Sequence, residues 1–422
     1  MTHTRLRMKL RGTPTLSAKT AACLMVVLAA WSLFPSTGHC AQPSREPPVK
    51  LPPVIVKAIA PLIKIGEYKM REERYQPAAV AQGDFIYIIG GGTAHETLLD
   101  SVERFNVRTG QSEKFATLGI ARRAHRAVLI GNRIYVLGGY SLQGFQISAN
   151  SMVATGAVPG SNPFDVTSDR PYSPFDERAN NPNLLPDPEV GDYIKRDLSR
   201  LGQGTTSAVS GVEHQALDQS VEVIDLATRK VTHAPEMPDA RAQFGCVVRD
   251  GKIYVIGGQR PYRHYLTAHT NTVKIFDPAT NKWSDGVPMP TPRDSQGVLV
   301  DGDVIVVPGG FDGRQPRDEV EVFNPADNLW RILPPLCRPT SAHSLVFLDH
   351  YLFLFGDYAF PGELVAYDLR AKLSEIFTLQ YKPARHTAAV VHEGKIYVIG
   401  GRPYGVSDPL RSIQVFTLRP KQ

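Results

Sequence analysis

Six times along the chain a run of apolar residues ends in a pair of small or turn-forming residues. The copies are Ile86–Gly91 (IYIIGG), Ile134–Gly139 (IYVLGG), Ile253–Gly258 (IYVIGG), Val304–Gly310 (VIVVPGG), Leu352–Asp357 (LFLFGD) and Ile396–Gly401 (IYVIGG). Short runs rich in Ile, Val, Tyr and Phe and bounded by Gly, Asn and Asp predict strands rather than helices. A second β-rich run precedes each copy across a tight turn, as Ala388–Val391 precedes Ile396 across His392-Glu-Gly-Lys395. A third follows each copy: Val102–Asn106, Val221–Asp225, Val273–Asp277, Val320–Asn324, Val365–Asp368 and Ile413–Phe416. The Pro-rich segments holding Met237-Pro238 and Met289-Pro290 are expected to supply a short outer strand. Each unit thus predicts a small four-stranded antiparallel sheet, which cannot cover its own faces and must stack on its neighbours.

The hydrophobic strand, the double glycine and the spaced aromatic residues, with Trp283 and Trp330 at one fixed offset in the third and fourth copies, resemble the kelch repeat. The resemblance runs from about residue 61 to 418 and implies an all-β fold, a six-bladed kelch β-propeller. Departures are Gly356-Asp357 in the fifth copy, Pro308 in the fourth, and the missing Trp in four copies. The last copy stops after its third strand, so Pro61–Met70 is expected to supply the missing fourth strand and close the ring. Residues 42–60 read as a tether.

One blade is abnormal. From the second glycine to the matching third-strand residue the chain takes 14 residues in blade one (Gly91 to Phe105) but 85 in blade two (Gly139 to Ile224). An insertion at 141–219, rich in Ser, Asn, Pro, Gly and Asp, therefore sits between strands two and three of blade two. A disordered decoration and a lid over the ring are both compatible with that length. Only Gly191–Leu201 in it carries a helical spacing.

The starts of the inner strands share a face with the loops after strand two. Aligned there are Gln76, His125, Gln243, Ser295, His343 and His386, with Arg74, Arg123, Arg241 and Arg293 two residues earlier and Arg385 one residue before His386. Arginines from several blades around one mouth would grip carboxylate or phosphate oxygens bidentately. The competing reading makes them repeat residues that pin neighbouring blades. Arg260 with Tyr262, and Arg402 with Tyr404, follow glycine pairs and are placed on the same face. No cofactor is implied. Metal binding by His125, His343 and His386 is set aside, because those blades would hold them across a channel.

Two function classes follow. One is a monomeric binding protein that takes a glycan, an acidic ligand or a protein partner on this face. The other is an enzyme resembling the periplasmic kelch sialic-acid mutarotases, which are also six-bladed. No residue match carries a mutarotase active site over, so binding leads; an arginine beside a solvent-reachable His or Glu in the mouth would favour the enzyme.

Composition changes the picture only at the N-terminus. Of 47 basic residues against 41 acidic, Arg5, Arg7, Lys9, Arg11 and Lys19 precede the uncharged stretch Ala21–Phe34, and no acidic residue occurs before Glu46. That is the pattern of a secretory signal ending near residue 41, and its removal leaves a net charge of +1. Nucleic-acid binding then loses its electrostatic basis. The mature protein is expected to be periplasmic or secreted; the alternative is a lipoprotein held to the membrane through Cys40, although His39 sits where a lipobox has a small residue. Cys246, in an apolar strand, reads as a buried free thiol. Mass spectrometry of exported material should find an N-terminus near Ala41 or Gln42; a soluble form that keeps Met1 would overturn the export reading.

Overall fold

The computed structural model describes residues 56–57, 60–142, 216–261 and 267–420. Among them are strands and turns and no helix. Six four-stranded antiparallel sheets follow one another, their inner strands being Ala78–Gln82, Arg126–Ile130, Gly245–Arg249, Leu299–Asp301, Ser344–Leu348 and Ala388–His392. Each inner strand pairs with the apolar run that ends in the glycine pair, which pairs in turn with the third strand. The outer strands of the first five blades are Gln111–Thr117, Val231–Ala234, Lys282–Gly286, Leu329–Leu333 and Leu373–Thr378.

The sixth blade is completed from the other end of the chain. Leu62–Lys69 pairs antiparallel with Ser412–Leu418, with Leu62 opposite Leu418 and Tyr68 opposite Ile413 across a bulge between Lys64 and Gly66. The expected closure is therefore present. Part of the expected tether also joins a sheet, since Val56–Lys57 runs parallel to Ile376–Phe377 on the outer edge of blade five.

Each face of a blade is apolar, so the core is divided into six wedges, one per blade–blade interface. Phe115, Leu118, Ile134 and Val136 fill the wedge between blades one and two; Phe353, Phe355, Ile396 and Phe416 fill that between five and six. The ring joint lies in another such wedge, where Ile86, Ile88 and Phe105 of blade one meet Tyr397, Ile399 and Ile413 of blade six. Trp283 and Trp330 staple neighbouring blades: their indole N–H groups donate to the carbonyls of Pro235 (3.1 Å) and Val287 (2.9 Å), just past the preceding outer strand.

The first glycine of each pair is required by the approach of the next blade. A Cβ at Gly138 would lie 2.5 Å from the Arg241 carbonyl oxygen, and one at Gly356 would lie 2.2 Å from that of Ala384. The backbone there is left-handed, with φ of 56° and 77°, which glycine adopts without strain.

Two expectations need correction. Met237 and Met289 follow the outer strands rather than forming them, and they are buried under the glycines of their blades. In blade two the sheet continues past the expected insertion boundaries, because Ala216–Asp218 pairs with Gly139–Ser141. The segment between them, 143–215, on which the short helical spacing and both readings of the insertion fall, lies outside the described residues, as do residues 1–55.

Deleting residues 42–70 should expose the edge of Ser412–Leu418 and remove the fully buried Leu62 and Met70. At about 1.5–3 kcal/mol for each buried apolar side chain, a loss of about 3–6 kcal/mol is expected in chemical denaturation. Unchanged unfolding would mean that this strand does not hold the ring shut.

Candidate functional site: the mouth of the propeller

Four arginines stand sixteen residues before the first glycine of their own blade. Arg74, Arg122, Arg241 and Arg293 donate from Nη1 to the carbonyls of Gly90 (2.8 Å), Gly138 (2.9 Å), Gly257 (3.0 Å) and Gly309 (2.8 Å). All four are fully buried. Their other nitrogens meet a carboxylate on the third strand: Glu103 at 2.6 Å, Glu222 at 2.8 Å and Glu321 at 2.6 Å, in blades one, two and four. Blade three has Lys274 at that place, so Arg241 turns instead to Asp239 at 2.7 Å and to Thr272. These side chains sew the approach loop of a blade to its own second and third strands, while their backbone carbonyls accept from the second glycine of the preceding blade, as Arg122 accepts from Gly91 at 2.8 Å.

Two residues beyond these positions the chain reaches the axis. There Gln76, Ala124, Gln243, Ser295, Ala342 and His386, one from each blade, all have φ between 52° and 59°. Each backbone N–H donates to the carbonyl of the equivalent residue in the preceding blade. The six bonds, at 2.8–3.2 Å, close a circle from Gln76 through His386 back to Gln76.

Above this circle opens a bowl of about 740 Å³. Its rim is built from the residue before each ring residue and the residue after each glycine pair, which are bridged to each other within a blade: Tyr75 with Gly92, Arg123 with Tyr140, Ala242 with Gln259, Asp294 with Phe311, and Arg385 with Arg402. In blade five Tyr358 donates its backbone N–H to Ser341. Asp357, standing where other blades have the second glycine, accepts from the N–H groups of Ala359 (3.0 Å) and Phe360 (2.8 Å). That turn presents Tyr358 and Phe360, half exposed, to the bowl.

Guanidinium groups lie on aromatic faces around the rim. Arg402 is 3.9 Å from the Tyr75 ring centre, Arg385 is 4.2 Å from Tyr358 and Arg338 is 4.2 Å from Phe360. Arg123 lies over both Tyr140 and Tyr75. Arg402 also pairs with Glu96 at 2.7 Å, and Arg338 with Glu363. No carboxylate among the described residues pairs with Arg385.

Three titratable groups of the bowl, His386, Tyr75 and Glu96, are shifted away from neutrality. Burial, then the cations Arg385 and Arg123, push His386 down to about 3. Burial pushes Tyr75 up to about 12 against the opposing pull of Arg123. Burial acts to raise Glu96, but the Tyr75 hydroxyl and Arg402 outweigh it and keep its carboxyl below the usual range.

Several expected site residues are thus relocated. Arg74, Arg241 and Arg293 are wall residues, because their guanidinium groups satisfy buried carbonyls and carboxylates instead of facing the mouth. His125 and His343 fall one position past the ring, where Ala124 and Ala342 stand. His125 is fully buried against Gly90, while His343 lines the lumen beneath the ring. Arg123 reaches the bowl, but as the neighbour of the wall arginine Arg122 and not as the counterpart of Arg241. Gln243, Arg385, His386 and Arg402 lie in the bowl as expected. Arg260 does not line it; Gln259 holds the place matching Arg402. Tyr404 is 72% exposed and outside the bowl, and Tyr262 lies outside the described residues. Cys246 is a free thiol whose ionisation burial pushes up to about 12.

Residues that the sequence reading overlooked include Tyr75, Glu96, Gln259, Asp294, Phe311, Arg338, Tyr358 and Phe360. Reading the residue directly after each glycine pair would have found Gln259, Phe311 and Tyr358.

Fold and site together define a closed six-bladed β-propeller with a cationic and aromatic bowl on the face of its strand two to three loops. Residues 210–357 match the family model described as KLHDC2/KLHL20/DRC7 Kelch-repeats domain, and residues 73–119 match the Kelch motif. The chain is 22% identical over 216 residues to Kelch-like protein 23 of Homo sapiens, covering 50% of this chain and 38% of that protein. It is 32% identical over 147 residues to Kelch domain-containing protein 8B of Mus musculus (33% and 41%), and 35% identical over 113 residues to Spermatocyte protein spe-26 of Caenorhabditis elegans (26% and 20%). These matches span well under two thirds of the relatives' own lengths. The chain belongs to the kelch-repeat β-propellers.

Replacing Arg293 by Ala leaves Glu321 charged and fully buried without its cation. Breaking a buried pair in this way costs about 3–5 kcal/mol, so Arg293→Ala should lower the stability in urea by that order. Arg241→Ala should cost less, since its partner Asp239 is partly open to water. Unfolding curves that superimpose on the parent would show that these arginines do not hold the walls.

Proposed function

We propose that this chain is an exported recognition propeller whose bowl receives a segment of a protein partner, with an acidic side chain of that segment paired to Arg385. The observation that carries this reading is the setting of Arg385. It is stacked on Tyr358, lacks a carboxylate partner among the described residues, and faces a bowl of about 740 Å³ walled by Tyr75, Phe311, Tyr358 and Phe360. A guanidinium held over an aromatic ring loses little freedom on binding and keeps its fork for a carboxylate. Aromatic walls supply the apolar area that recognition of a peptide or loop needs.

One observation favours a sugar-converting enzyme instead, namely Glu96 and Arg402 in the same bowl as His386. General acid–base work near neutral pH requires groups that titrate there. The shifts of His386, Glu96 and Tyr75 all run away from that range, which supports binding over proton transfer. Export rests on the charge pattern ahead of residue 42.

Selecting a random peptide library on the mature domain should enrich acidic sequences with apolar flanks. Arg385→Ala should weaken the best of them about 10- to 100-fold, the worth of a charged hydrogen bond, with the melting temperature unchanged. Enrichment that is indifferent to both Arg385 and Tyr358 would sink the reading. Retention of an acidic sugar with no peptide selected would replace the protein partner by a glycan.

A further inference from the structure

Beneath the ring of six backbone hydrogen bonds lies a second, smaller cavity of about 30 Å³, with room for roughly two waters, one halide or one carboxylate group. Residues from all six blades line it, which places it on the axis, and none of them is acidic. Its one permanent charge is Arg126.

Arg126 opens the inner strand of blade two, opposite Leu137, the residue before the glycine pair. The same register in blades one, three, five and six holds Ala78, Gly245, Ser344 and Ala388. Space at this level is short: a Cβ at Gly245 would come within 1.9 Å of Val298. A long cationic side chain here is therefore an exception to the repeat. The wall arginines each satisfy a glycine carbonyl and three of them a buried glutamate. Arg126 has only a 3.3 Å bond to the His125 carbonyl, and no carboxylate among the described residues pairs with it.

We propose that the lumen is an anion site, in which Arg126 holds a small monoanion, a halide or a carboxylate, against the polar groups of Ser295, Gln243, His343 and His386. The electrostatics agree with this assignment. Burial lowers the pKa of Arg126, opposed by the nearby Cys246 thiol, whose own ionisation burial pushes up to about 12. Burial, with Arg126 adding to it, also holds His343 at about 3, so that ring stays neutral, its Nε2 accepting from the Gly297 N–H at 3.2 Å, and brings no second charge to the lumen. Arg126 is partly buried, and a cation in so narrow a lumen loses hydration that no carboxylate of the described residues replaces, a loss that a bound anion would offset. The bowl opens directly above, since Gln76, Gln243, Ser295, Ala342 and His386 belong to both cavities, so the anion can arrive free or as the carboxylate of a longer ligand.

Thermal unfolding at constant ionic strength separates the outcomes, with sodium gluconate replaced stepwise by bromide or formate. The parent melting temperature should climb by several degrees and saturate. In Arg126→Gln it should be flat, and higher than the parent in gluconate alone because the unpaired charge is gone. Should that variant not fold, Arg126→Lys should show a midpoint shifted about tenfold, and bromide-soaked parent crystals should give an anomalous peak beside Arg126. A response to free formate identifies a free anion. A response confined to acidic peptides and lost in Arg126→Gln identifies a ligand's carboxylate. Equal responses in parent and Arg126→Gln, or no response of the parent to bromide, formate or acidic peptides, would overturn the proposal. Failure of Arg385 to select peptides would leave it standing.

Discussion

Everything in this molecule depends on how closely one blade's backbone approaches the next. The circle of N–H to carbonyl bonds from Gln76 to His386, and the second-glycine bonds behind it, tie blades through main chain, whatever the side chains are. That contact explains the glycine pairs, because any Cβ on the first of them would strike the neighbouring carbonyl. It also explains why each ring residue has a left-handed backbone: the chain must turn there to offer its N–H to one side and its carbonyl to the other. Once neighbouring blades are locked at this spacing, the six apolar wedges follow, since facing sheets have no other surface to bury against.

The architecture was legible in the sequence because it is written in repetition. Six copies of one apolar phrase set the blade number, and an orphan third strand at Ile413–Phe416 pointed to Pro61–Met70 as its partner, which the pairing of Leu62 with Leu418 bears out. The site was legible only in part, for two physical reasons. Blade two carries adjacent arginines, and only the constant separation of sixteen residues from the first glycine distinguishes Arg122 in the wall from Arg123 at the mouth. Choosing Arg123 moved the alignment by one residue and put His125 on the ring in place of Ala124. Along a strand a shift of one residue reverses the side on which a side chain stands, so one misplaced position exchanged a lining residue for a buried one. Arg126 escaped notice for a different reason: its meaning lies in the absence of a partner, and absence has no sequence motif.

The same residue type does opposite work within one turn of chain. Arg122 is spent on groups inside the protein, chiefly the Gly138 carbonyl, Glu222 and Ser220. Arg123, next to it, lies across two tyrosine rings at the rim. What separates them is the direction of the backbone as it leaves the approach loop for the ring, so neither charge nor residue type alone could have assigned their roles.

Wall and mouth also divide unevenly around the ring. Blades five and six lack the wall arginine, with Thr340 and Ala384 in its place, and other groups brace their approach loops. In blade five Arg338 pairs with Glu363; in blade six Gln414 accepts from the Lys382 N–H at 2.7 Å and donates to its carbonyl at 3.0 Å. These two blades supply Arg338, Ser341, Tyr358, Phe360, Arg385, His386 and Arg402, and so most of the charged and aromatic lining of the bowl. An arginine–glutamate wall fixes the approach loop to the strands behind it and leaves that loop little freedom in sequence. Where the wall is replaced by lighter bracing, the loop can carry a turn such as 357–360 and point side chains into the mouth. The two blades without the wall arginine therefore give the bowl most of its charged and aromatic side chains, and the arginine-walled blades hold them at a fixed distance across the axis.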